Sequence, residues 1–163
     1  MGVAQSVTRS APSGVHRQAQ PYQDVKTDVK VVLAGLWIAM LFLFAYVDIF
    51  GFFRADIING ALDGELPGQD LSINQTFLAL STVFILIPSL MIVVSLLAKP
   101  ALNRKLNIVV SILYAIVIAG LCIGESWIYY LIGSLFEVIL LLAIARVAWR
   151  WPSAADRDVR SAA

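Results

Sequence analysis

Residues 127–149 read WIYYLIGSLFEVILLLAIARVAW, an apolar run with one carboxylate near its middle. A helix needs roughly 20 mostly apolar residues to cross about 30 Å of hydrocarbon, so this stretch predicts a transmembrane helix. It is continuously apolar and does not alternate every second residue, which excludes a transmembrane strand. Three more blocks of the same kind precede it, at about 31–53, 76–97 and 106–124. The expected fold is all-α: a four-transmembrane-helix bundle over residues 30–151, between a leading tail of residues 1–29 and a closing tail of residues 152–163. Both tails are polar and without periodicity, and are expected to be disordered because they cannot bury enough apolar surface to offset the entropy of ordering. The first block is longer than a signal peptide's core and lacks a small-residue cleavage site, so it is expected to stay as an anchor.

Composition points the same way. Of 163 residues, 60% are hydrophobic and 14% charged, against roughly 45–50% and 25% in soluble domains, so the expected partner of most of the surface is the lipid bilayer of the cell membrane. A single cysteine, Cys122, leaves no internal disulfide or paired-thiol chemistry, and the single histidine, His16, lies in the leading tail, so no metal centre is expected. A net charge of +1 supplies no basic face for nucleic acid. The chain offers neither a glycine-rich phosphate loop nor a nucleophile–base pair. No catalytic residue is therefore assigned, no cofactor is implied, and the role is expected to be non-enzymatic.

Orientation follows from Lys and Arg, which short loops retain on the cytoplasmic side. Arg9, Arg17, Lys26 and Lys30 precede the first block; Lys99, Arg104 and Lys105 follow the second; Arg146, Arg150, Arg157 and Arg160 close the chain. Both termini are therefore expected to be cytoplasmic. The remaining cation, Arg54, opens an outer loop with Asp56, Asp63, Glu65 and Asp70. There, Ile57, Ile58, Ala61, Leu62 and Leu66 fall at helical spacing opposite Asp56, Asn59, Asp63 and Glu65, up to Pro67-Gly68. This predicts a short helix lying in the headgroup region. Trp37, Trp127, Trp149 and Trp151, with Tyr129 and Tyr130, fall mostly near block ends and are expected to be interfacial anchors.

Ionisable groups within hydrocarbon need a reason, since each costs at least about 2.5–3.5 kcal/mol at the centre of the bilayer on insertion scales. Glu137 lies near the middle of the fourth block, and Asp48 about 9 Å beyond the middle of the first at 1.5 Å per residue. Neither has a Lys or Arg at its depth, so Glu137 is expected to be protonated or hydrogen-bonded. Asn107, Ser111 and Tyr114 form one stripe on the third block, and Tyr130, Ser134 and Glu137 another on the fourth. In the second, Pro88 deprives the Phe84 carbonyl of its helical donor. These groups form either a mid-membrane polar pocket of Glu137, Tyr114, Ser111 and Ser134 beside the proline kink, or interhelical glue in which they satisfy one another. Asp48 either lines a mouth with Tyr46, Gln75, Thr76 and Glu125 or caps the helix that starts at Gln75-Thr76. Gly120 and Gly124 are spaced for close helix approach, to the fourth block through Gly133 or to a second copy in a homodimer.

The segments YVDIFGFF (46–53), Pro88, NRKLN (103–107), Tyr129-Tyr130, Glu137 and Trp149-Arg150-Trp151 carry a likeness. From about Lys30 to Trp151 the chain resembles a family of uncharacterised prokaryotic four-helix membrane proteins, and in organisation it is similar to DoxX-type proteins. The resemblance implies a fold and a membrane location, with no established activity. Some DoxX-type proteins are linked to quinone or thiol chemistry, from which this chain departs in having no cysteine pair.

Two functions are compatible with these residues. One is a non-enzymatic protein that binds a small amphiphile, a lipid or a quinone, in the membrane pocket, or serves as accessory subunit to a membrane protein partner. The other is a small proton-coupled transporter with Glu137 as the carrier. A quinone-linked oxidoreductase would have to move protons through Tyr114, Glu137 and Asp48 without a visible redox centre.

Overall fold

The structure, a computed structural model, describes residues 27–66 and 71–151. The tail residues 1–26 and 152–163, and with them the disorder expected there, lie outside the described residues, as do Pro67 and Gly68. Five helices follow one another: α1 (Val29–Gly51), α2 (Ala55–Asp63), α3 (Gln75–Leu97), α4 (Pro100–Leu121) and α5 (Ile128–Trp149). All but α2 are long and apolar enough to cross a membrane.

Local chemistry sets the helix ends. The Asp28 carboxylate accepts from the Lys30 amide at 2.7 Å to start α1, and Asn74 Oδ1 accepts from the Phe77 amide at 2.9 Å to start α3. Capping of α3 is thus the work of Asn74, not of Asp48. Pro100 opens α4, where its fixed φ is already helical and its missing N–H costs nothing. Asn103, Arg104 and Lys105 consequently lie within α4, whereas its apolar block begins only at Leu106. The other end of α4 comes before Gly124, whose φ of 86° is left-handed. The short helix expected after the first block is α2, with none of its residues buried. It ends earlier than Pro67-Gly68, at Gly64 with φ 75°. Beyond it Leu66 turns back to donate to the Leu71 carbonyl at 3.0 Å, next to an antiparallel bridge of Glu65 with Ser72.

The bundle is uneven. α5 packs extensively on both α4 and α1, α1 packs on α3, and α3 meets α4 only thinly. Leu33, Trp37 and Met40 from α1, Met91 from α3, Tyr114, Ala115 and Ile118 from α4, and Leu141, Ile144 and Ala148 from α5 form one core. α5 comes close to α1 at Gly133, where an added Cβ would overlap a Val47 methyl. This corrects the expected partner of Gly133. Gly120 has open space where its Cβ would be, and Gly124 lies past the helix, so the two glycines do not share one helical face.

Apolar burial adds little to association when the alternative surroundings are lipid tails, so packing and polar ties must hold such helices together. The ties concentrate at the end away from α2. Asn107 Oδ1 accepts from Trp37 Nε1 at 2.7 Å and from Ser95 Oγ at 3.2 Å, while Asn107 Nδ2 donates to the Asn103 carbonyl at 2.9 Å and to its Oδ1 at 2.6 Å. Asn103 Nδ2 donates to the Ser95 carbonyl at 2.6 Å. Trp37 is therefore no interfacial anchor: it is fully buried, and its indole N–H requires the acceptor that Asn107 provides. At the same end Lys30 Nζ donates to the carbonyls of Leu96 (3.2 Å) and Ala98 (3.0 Å), placing a cation at the negative terminus of α3.

Candidate functional site

The mid-helix groups are only partly brought together. Pro88 removes the α3 donor that would have served the Phe84 carbonyl, and the Tyr114 hydroxyl of α4 donates to that carbonyl at 2.6 Å, with the two rings stacked at 4.7 Å. The carbonyl freed by Pro88 and the Tyr114 hydroxyl thus satisfy each other. Ser111 donates to the Ile108 carbonyl of its own helix at 3.2 Å. Ser81, Thr82 and Ser89 likewise back-bond to Phe77, Leu78 and Ile85, so they contribute no tie between helices. Ser134 and Glu137 are each 2% exposed on α5. Glu137 Oε1 has no hydrogen-bond partner among the described residues.

A second polar group lies at the α2 end. Arg54, 8% exposed, pairs with Asp56 at 2.6 Å and Glu125 at 3.1 Å, and its guanidinium lies 4.5 Å from the centre of the Trp127 ring. The loop after α1 is thereby clamped to the turn between α4 and α5. The Arg54 guanidinium holds the Asp56 carboxyl below its ordinary range. Burial alone would push the Glu125 carboxyl up, but the amides of Trp127 and Ser126 and the Arg54 guanidinium together hold it below its ordinary value. Arg54 was legible in the sequence as a lone outer cation. Its partners across the turn were not.

Two adjoining hollows sit beneath this clamp. A crevice of about 230 Å³ is lined by Asp48, Gly51, Arg54, Glu125, Tyr129 and Tyr130 with apolar neighbours. Beside it a larger groove of about 630 Å³ is walled by Phe44, Phe77, Leu80, Phe84, Ile85 and Val117, with Asp48, Ser81 and Tyr130 as its polar lining. The two share Asp48, Leu66, Leu121 and Tyr130. The groove opens where α3 buries little: its buried residues are only Pro88, Met91 and Ser95, all in its second half, and it meets α4 only thinly. Glu137, Tyr114, Ser111 and Ser134 line neither hollow. Of the residues expected at a mouth, Asp48 and Glu125 line the crevice, while Tyr46 leans on Phe50 at 6.2 Å. The aromatic walls carried no sequence signal, since Phe and Leu in an apolar span look the same whether they face lipid, core or groove.

The model of a family of unknown function (DUF6326) matches residues 23–156. No curated protein and no solved structure matches the chain.

Proposed function

The chain belongs to the DUF6326 family, and from its own geometry we infer that it binds a small amphiphile such as a lipid or quinone within the bilayer. The observation that carries this reading is the groove between α1, α3 and α4, apolar along its walls and polar at Asp48, Ser81 and Tyr130. Its volume of about 630 Å³ falls within the roughly 300–1,000 Å³ of small-molecule sites. The pocket is thus one step nearer the α2 end than a site centred on Glu137, and on this reading the α2 end faces outward with both termini in the cytoplasm. Native mass spectrometry of the protein released gently from its own membrane tests it. The wild type should carry a small molecule, and Ser81→Phe, which fills the groove, should lose most of it at an unchanged unfolding midpoint. A bare wild-type chain removes the reading, and so does a stoichiometric protein partner in place of a small molecule, which would make the chain a subunit of a larger complex.

A second reading, proton-coupled transport through Glu137, draws on the bare Oε1 of a carboxyl 2% exposed in the middle of α5. A polar atom buried without a partner lowers stability by about 1–3 kcal/mol. Glu137→Met should therefore raise the unfolding free energy by about that amount and, if this second reading holds, abolish substrate-driven proton movement in vesicles. Lower stability in the variant would mean that the carboxyl is bonded after all, and undiminished proton movement would remove Glu137 as carrier.

A further inference from the structure

Charge at the α2 end is lopsided. Among the described residues Asp48, Asp56, Asp63, Glu65 and Glu125 gather there, with Arg54 as the one cation. That cation is already engaged by two carboxylates and covered by the Trp127 ring. Asp48 lies in α1 itself, three residues before the helix ends, and lines both hollows, and unlike Asp56 and Glu125 it has no hydrogen-bond or ion-pair partner among the described residues. The charge left uncompensated where groove and crevice meet is therefore negative. Beside it stands Tyr130, whose ring offers a second surface attractive to a cation.

We propose that the occupant of the groove is a lipophilic organic cation, its ammonium head at Asp48 and Tyr130 and its apolar tail along Phe77, Leu80 and Phe84. This rests on the amphiphile reading above and deepens it. An anionic head would meet Asp48 with no free guanidinium to receive it. A neutral head brings no counter-charge to the carboxylate, whereas an ammonium supplies one while its tail lies along the apolar walls.

The test uses the full chain in nanodiscs of zwitterionic lipid and three probes of equal tail length, decyltrimethylammonium, decanol and decanoate, by equilibrium dialysis with protein-free discs subtracted. The cation should bind at a single saturable site about ten-fold or more tightly than decanol, and decanoate should bind more weakly than either. Asp48→Asn should reduce the cation's affinity to that of decanol, Asp48→Glu should keep the preference, and Glu65→Gln should leave it unchanged. Equal binding of cation and alcohol, or a preference that survives Asp48→Asn, overturns the cation while leaving the amphiphile reading intact. Saturable binding of none of the three overturns both. An unfolding midpoint for Asp48→Asn like that of the wild type separates loss of the head contact from loss of the fold, and the Asp48→Glu result carries the test if the midpoint falls.

Discussion

Replacing Asn107 by Leu should destabilise the bundle by about 2–4 kcal/mol, more than any other single change in the polar layer. Its amide joins three helices: Oδ1 accepts from Trp37 of α1 and Ser95 of α3, and Nδ2 donates to Asn103 one turn earlier on α4. Leu fills a similar volume but leaves the Trp37 N–H and Asn103 Oδ1 without their partners, and both side chains are fully buried. Interhelical hydrogen bonds in membranes average about 0.6 kcal/mol. The orphaned groups, at about 1–3 kcal/mol each, dominate the loss. Trp37→Phe, which removes one donor and orphans only part of the Asn107 acceptor, should cost markedly less. Unfolding in mixed micelles by denaturing detergent measures both. A loss under about 0.5 kcal/mol for Asn107→Leu would mean that lipid-exposed partners or water replace the network, and the layer would no longer explain how α3 is held.

Gly133→Ala should cost about 1–3 kcal/mol, the range of an overpacked interior. The added methyl falls on Val47 of α1, and a β-branched valine in a helix has essentially one rotamer to offer, so it cannot swing aside. Val47→Ala should restore most of the loss in the double variant. Gly120→Ala, with nothing within 4 Å of its new methyl, should be neutral or slightly stabilising, because alanine is the better helix former by about 1 kcal/mol. Equal effects at Gly133 and Gly120 in the same unfolding assay would show that α1 and α5 are not in close contact.

These two positions illustrate how far residue patterns reach. Asn107, Ser111 and Tyr114 were legible as a stripe because spacing along one helix is set by its own geometry. That Asn107 turns to Trp37 and Tyr114 to Phe84 depends on which helices are neighbours, and hydropathy holds no information about that. The carbonyl freed by Pro88 could be named in advance, since proline's effect is local; its donor could not. Trp37 was misplaced for a related reason. An indole near the start of an apolar block reads as an anchor at the membrane surface unless a buried acceptor is known to await it. The glycines show another limit: Gly120 and Gly124 have the spacing of a packing motif, but the helix ends between them at Leu121.

Membership of the all-helical class, four spans and the short amphipathic α2 followed from composition and periodicity, because a bilayer core admits few ways to satisfy a backbone and each needs a recognisable run of apolar residues. The order of packing around α5, the clamp of Arg54 on Glu125 and the groove beside Asp48 did not follow. They arise from contacts between residues far apart in the chain, such as Arg54 with Glu125 71 positions on, and from the thin contact of α3 with α4. In an apolar span every face is equally at home in lipid, so only the assembled helices settle which face turns inward and where space is left between them.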